Sequence, residues 1–178
     1  GEHMFSIGDK IVYGSTGVCT ILGIGVPDIP GATRECYVLK PSYMANTTVY
    51  APVEKNPVSM RLVLSPDEMQ SLIDSLPDIK PFPESKEKTE MHDICRNAVK
   101  SADGFMLAKL IKTLHEKKLR IMEQKKAVSS VEKEYFDTAE KIFHGEIATV
   151  LGMPMEKVGT YIQARIFPNS VLGQSAAS

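Results

Sequence analysis

The chain has 178 residues, enough for one large domain or two small ones, with 43% hydrophobic and 24% charged residues and a formal net charge of −1. No global field therefore selects a nucleic acid or a membrane as partner, and no apolar run approaches the roughly 18 residues that a membrane span needs. Its three cysteines, Cys19, Cys36 and Cys95, are odd in number and far apart, which argues against a disulfide framework or a zinc site and for reduced thiols in the cytoplasm.

Gly1-Glu2-His3-Met4 reads as a tag-cleavage remnant, and no secretory signal follows Met4. From there to about residue 64 the pattern is that of short strands. Lys10–Gly14 and Val18–Ile24 flank the turn Ser15-Thr16-Gly17, with Gly23 permitting a bulge. Pro27-Asp28-Ile29-Pro30-Gly31 is a loop by its Pro and Gly content. Arg34–Lys40, Thr47–Ala51 (stopped by Pro52) and Arg61–Leu64 complete five strands, the pattern of a small barrel of the Tudor or SH3 kind.

At Ser65-Pro66-Asp67-Glu68 the period changes. Ser as N-cap, Pro in the first turn and Glu three residues on make a capping box, opening a helix to about Leu76. Residues 77–88, rich in proline and charge, read as a linker. Beyond it, Met91, Ile94, Cys95, Ala98 and Val99 share one helix face, and Leu107, Leu110, Ile111, Leu114, Ile121 and Met122 share another. Ser129-Ser130-Val131-Glu132 is a second capping box, for a long helix with Gly152 as its C-cap. A shorter helix runs from Met155 to about Ile166, before a tail, residues 167–178, expected to be flexible. The fold class expected is α+β: a β-barrel domain with a closing helix (4–76), a linker (77–88) and an all-α domain (89–166).

Little of this suggests reaction chemistry. His92, His115 and His144 are scattered, so no metal site is expected, and Ser15-Thr16-Gly17 lacks the lysine and extra glycines of a phosphate loop. Asp67/Glu68 and Glu132/Glu134 fall in first turns, where carboxylates favour the helix dipole. An aromatic cage from Tyr13, Tyr37, Tyr43 and Tyr50 would need rings converging on one pocket. Charge divides unevenly: residues 4–76 hold five basic and seven acidic side chains, residues 109–126 seven basic and two acidic. The basic stretch is either a solvated helix face or a phosphate-contacting one. A binding module is expected, with no enzyme activity and no cofactor.

Phe5-Ser6-Ile7-Gly8-Asp9-Lys10-Ile11-Val12-Tyr13, then Gly17, Tyr37-Val38-Leu39 and Thr48-Val49-Tyr50-Ala51-Pro52-Val53 resemble the CarD/CdnL family of bacterial transcription regulators, whose first domain also occurs in transcription-repair coupling factors. Phe143-His144-Gly145-Glu146-Ile147-Ala148 resembles that family's helical domain. The resemblance implies a barrel that docks strand edge to strand edge on the RNA polymerase β subunit, and a helical domain that contacts the backbone and minor groove of upstream promoter DNA and stabilises the open complex. It implies a cytoplasmic, nucleoid-associated protein with no membrane partner, expected as a monomer, with a strand-exchanged dimer left open. The polymerase-facing positions it implies are Pro27, Ile29 and Tyr50, with Arg34 nearby; family members often carry arginine at the positions of Pro27 and Tyr50. Members also carry a Trp wedge at the start of the helical domain. This chain has no Trp, and the position falls near Lys88, so the DNA-facing residues implied are the phosphate holders Lys86, Lys88 and Lys133. Local charge density adds Lys117, Lys118, Lys125 and Lys126. The alternative reading is a polymerase-binding adaptor with little DNA contact.

Overall fold

Alternating side chains in the first third of the chain build a sheet with two apolar faces. The computed structural model describes residues 3–167. In it β1 (Lys10–Tyr13), β2 (Gly17–Gly25), β3 (Cys36–Pro41), β4 (Val49–Pro52) and β5 (Met60–Leu62) pair antiparallel in the order β4-β3-β2-β1-β5. Ile11, Tyr13, Cys19, Ile21, Tyr37, Leu39 and Ala51 point inward with Phe5 and form one core. Val12 and Val18, opposite one another in the register, point outward instead. Between β1 and β2 the chain makes a single 3-10 turn at Gly14–Thr16, where Gly14 has a φ of 46° and an added Cβ would lie 2.5 Å from Val58.

A bulge divides β2. Ile21 pairs with Leu39 and Gly23 with Val38, so Leu22 is the extra residue and is exposed. Beyond the bulge, Gly23, Val38 and Tyr50 lie opposite one another in one row. The bend expected at Gly23 is this bulge. The expected strands are present with shifted ends: β3 starts at Cys36 and β4 at Val49, and Pro52 is the last residue of β4, at the sheet edge where a missing N–H is tolerated.

Five helices follow. α1 (Pro66–Ser75) carries the full capping box: Ser65 Oγ accepts from the Glu68 N–H at 3.1 Å, and Glu68 Oε1 accepts from the Ser65 N–H at 3.0 Å. α2 (Lys88–Ser101), α3 (Gly104–Glu123), α4 (Ser130–Leu151) and α5 (Met155–Ile166) make the bundle. The second box forms only by half. Ser129 Oγ accepts from the Glu132 N–H, but the Glu132 carboxylate takes a hydrogen bond from Lys117 Nζ instead of returning to the cap. Gly152 ends α4 in the left-handed conformation, φ 65°. Of the tail expected to be flexible, Phe167 is packed, its ring 3.9 Å from that of His115, and residues 168–178 lie outside the described residues.

The proline-rich segment between the halves is laid along α3. Ile79 is buried, the Phe82 N–H donates to Thr113 Oγ1 at 2.9 Å, and Lys109 lies over the Phe82 ring. Packing is continuous across it: Val12 and Val18 of the sheet enter the same core as Met69, Ile73, Leu107, Ile142, Phe143 and Ile147.

Near α5 that core holds three titrating groups. Burial drives the His144 imidazole down to about 4. Burial, reinforced by Lys118, also lowers His115, with Glu116 opposing. Burial and then Asp137 raise Glu140, whose carboxylate lies 3.7 Å from His144 Nε2. Both histidines take protons more readily unfolded, so their contribution to stability is lost as pH falls from about 6.5 toward 4; Glu140 acts in the opposite sense, regaining stability as pH falls through its raised pKa. At 1.36 kcal/mol per pH unit, the His144 shift alone corresponds to a loss of about 2–3 kcal/mol between pH 7 and 4.5, read by urea titration. His144→Leu should remove at least half of it, and an unchanged slope would show that His144 does not carry it.

Candidate functional site

The residues expected to face a protein partner gather at one end of the sheet. β4 is an edge strand, and among the described residues its outer side pairs with no other strand. Such an edge presents unpaired N–H and C=O groups as a template for an added strand. Tyr50 sits in the middle of β4, is 42% exposed and shares the outer row with Val38. The β2–β3 loop leaves from the end where Gly25, Cys36 and Pro52 are aligned. On that loop Pro27 is half-buried and Ile29 is 50% exposed, with the Ala32 N–H closing the turn back onto Ile29 O. Arg34 ends the loop and donates from Nη2 to Glu54 O, tying it to the segment just past β4. Arg34 thus ties the loop that carries Pro27 and Ile29 to the far end of β4, and Tyr50 faces solvent two residues before that end. Leu22 and Val26 add exposed apolar surface on β2 and the loop.

The four tyrosines do not converge. Tyr13 and Tyr37 are buried inside the sheet, Tyr43 packs on α4, and Tyr50 faces solvent. No cage is formed: Tyr13 and Tyr37 are enclosed in one core, Tyr50 lies on the other face opposite Val38, and Tyr43 lies past the end of β3 against α4. The cysteines are buried and free, and burial pushes the Cys19 and Cys95 thiols up to about 11, so neither is a ready nucleophile.

The lysines occupy the opposite chemistry. Lys118, at the exposed end of α3, and Lys125 and Lys126, in the α3–α4 loop, are exposed; Lys133 in the first turn of α4 is exposed beside Asp137 at 3.6 Å. Lys117 differs from them. Its ammonium donates to Glu132 Oε1 at 2.5 Å and is largely covered, so this lysine holds α3 to α4. Lys117, Lys118 and Lys133 line one cavity between these helices. Lys86 and Lys88 are exposed at the start of α2, following Glu84, whose carboxylate accepts from Arg120 of α3 at 2.9 Å.

Sequence reasoning missed the joint between the two halves. Arg61 on β5 donates from Nη1 and Nη2 to the two carboxylate oxygens of Glu146 on α4, each at 2.7 Å, and from Nε and Nη2 to the Ala102 carbonyl that ends α2. Glu146 Oε2 also accepts from the Leu64 N–H at 2.9 Å. Burial opposes the charge on Arg61, but Glu146, then Asp103 and Glu68, outweigh it and hold its pKa above the ordinary arginine value. Next to Glu146, Gly145 lets the Tyr43 ring approach; a Cβ there would meet it at 3.2 Å. The Thr149 hydroxyl donates to Gly145 O, which leaves the Tyr43 hydroxyl to donate to Thr149 Oγ1 at 3.2 Å. The available signal was Glu146 itself, an acid flanked by Phe143, Ile147 and Val150 on the apolar face of α4.

Two family models match the chain: the CarD-like/TRCF RID domain over residues 5–64, and the CarD C-terminal domain over residues 82–163. The first takes in the β4 edge and the β2–β3 loop; the second takes in every lysine named above. No curated protein matches the chain significantly. Among the described residues, no helix is long and apolar enough to cross a membrane.

Proposed function

The chain belongs to the CarD-like family, and from that premise we propose that it docks on the RNA polymerase β subunit through the β4 edge and contacts upstream promoter DNA through the α3–α4 end of its bundle, stabilising the open complex. A CarD-like protein is a transcription regulator that binds RNA polymerase. The observation that carries the docking assignment is the unpaired β4 edge with Tyr50 exposed upon it. A partner strand added there would gain main-chain hydrogen bonds, with Tyr50, Ile29 and the loop supplying side-chain contact. Arginine is absent from the positions of Pro27 and Tyr50, so the contact proposed is backbone-led and mainly apolar.

The test uses the full chain, because the Val12–Val18 part of the sheet packs into the bundle core and a severed N-terminal half would expose Val12, Val18 and Arg61. Tyr50→Ala and Ile29→Glu are each expected to weaken polymerase binding about tenfold, equivalent to 1.4 kcal/mol, with an unchanged urea midpoint. Wild-type affinity in both variants would remove β4 and its loop from the docking face.

On the DNA side, Lys118, Lys125, Lys126 and Lys133 are the proposed phosphate contacts, with Lys86 and Lys88 at the start of α2. They position the duplex without reading its sequence. Lys133→Glu should shorten the lifetime of the open complex roughly two- to fivefold, the worth of one exposed ion pair (about 0.5–1 kcal/mol); an unaltered lifetime would place the DNA face elsewhere. Lys117 is expected to act on stability, through Glu132, more than on DNA.

A second reading, an adaptor that binds polymerase with little DNA contact, is favoured by two observations. The chain has no Trp to wedge into a groove, and Lys117 and Lys133 already have acidic neighbours. Salt separates the two readings. Each phosphate contact adds about −0.9 to the slope of log K against log salt for duplex DNA, whereas an apolar strand-edge contact adds little.

A further inference from the structure

The cavity between α3 and α4 has the build of a ligand site. Its volume is about 270 Å³. Leu114 and Ile121 of α3, Val128 of the loop and Phe136 of α4 form its walls. α3 and α4 are held together there by the Lys117–Glu132 pair, and the short loop between them contributes only Val128 as a covering side chain. The opening is charged. Lys133 is balanced by Asp137, while Lys118 has no ion-pair partner within 4 Å among the described residues. The lining as a whole carries Lys117, Lys118 and Lys133 against Glu132 and Asp137, and Lys118 acts only at longer range on Glu140, so one positive charge in excess beside carbon walls suits a molecule with an apolar body and a single negative charge.

We propose that this cavity binds a small apolar carboxylate, its body among Leu114, Ile121, Val128 and Phe136 and its carboxylate on Lys118. A dry cavity of about 150 Å³ accepts benzene, so this one has room for roughly two fused rings or a short acyl chain. The site shares Lys118 and Lys133 with the proposed DNA face and nothing with the polymerase face, so binding is measured with neither polymerase nor DNA present.

The probe is 2-naphthoate, titrated into the methyl-labelled full chain and followed by NMR, with neutral 2-naphthylmethanol as control. Saturable shifts centred on the Ile121 and Val128 methyls, with the alcohol at least fivefold weaker, are expected. Lys118→Gln should bring the two affinities together, and Val128→Trp should fill the cleft and abolish binding while leaving the circular dichroism spectrum unchanged. Should Val128→Trp fail to fold, the wild-type comparison and Lys118→Gln still decide. Absence of shifts at millimolar probe, shifts centred elsewhere, or equal affinity for acid and alcohol would overturn the proposal. So would Ile121 and Val128 shifts that follow protein concentration without probe, which would assign the cleft to a second copy of the chain.

Discussion

Replacing Glu146 by alanine should lower the unfolding free energy by about 3–5 kcal/mol, the cost of breaking a buried ion pair by removing one partner. The Glu146 side chain is 1% exposed and that of Arg61 25%, so the stranded guanidinium recovers only part of its hydration. Two further losses compound this. The Leu64 N–H loses its acceptor, and Arg61 is left with only the Ala102 and Leu62 carbonyls. Arg61→Lys should recover little of what Arg61→Ala loses, because an ammonium cannot span both oxygens of Glu146 while also reaching Ala102. Equilibrium urea unfolding measures all three variants, and a loss below 1 kcal/mol for Glu146→Ala would show that the joint contributes specificity without stability. The two transitions of a chain whose halves unfold separately would be equally informative, since shared packing predicts a single one.

Phe143→Ala should cost a similar amount, about 3–5 kcal/mol, for a different reason. The ring is fully buried, at the place where the sheet, α1 and α3 meet α4. Gly104, the first residue of α3, approaches it closely: a Cβ there would lie 4.0 Å from Phe143 and 2.8 Å from Leu72. Because the neighbours come from several elements, no single side chain can move to fill the void, and the cavity term adds to the lost transfer energy. Phe143→Leu should cost less than half as much. The same urea titration checks both, and equal losses would mean that the ring's own volume is not what the site requires.

The five strands and five helices were legible because their signals are local. The turn glycines, the Ser65–Glu68 capping box and Gly152 act within a few residues of themselves, and the structure uses each as its chemistry predicts. The second capping box misled because Glu132 had a better partner in Lys117, fifteen residues earlier in the chain and invisible to a local reading. Lys117 was accordingly grouped with the exposed lysines, since charge density in sequence does not distinguish a solvated ammonium from a paired one. The proline-rich segment has the composition of a free linker, yet Thr113 and Lys112 of α3 bind its backbone. Composition reports what a segment can do alone, and contacts from elsewhere override it. The residues that resembled the family's helical half, Phe143 to Ala148, were recognisable without their roles being so. They are the bundle's side of the joint: Phe143 and Ile147 in the core, Gly145 under Tyr43, and Glu146 on Arg61.

That joint makes the molecule a gauge. If the two halves were strung on a tether, each end could search for its own target, and lengthening residues 77–88 would widen the search. Here the span from Tyr50 to Lys133 runs through Val12, Val18 and the Arg61–Glu146 clamp, with Ile79 of the segment packed into the same core. Extra residues inserted between Glu84 and Lys88, beyond Ile79 and Phe82, are expected to loop outward without changing the span. The offset between Tyr50 and Lys133 is therefore set by side-chain packing, and it is altered by changing Arg61, Gly145 or Glu146.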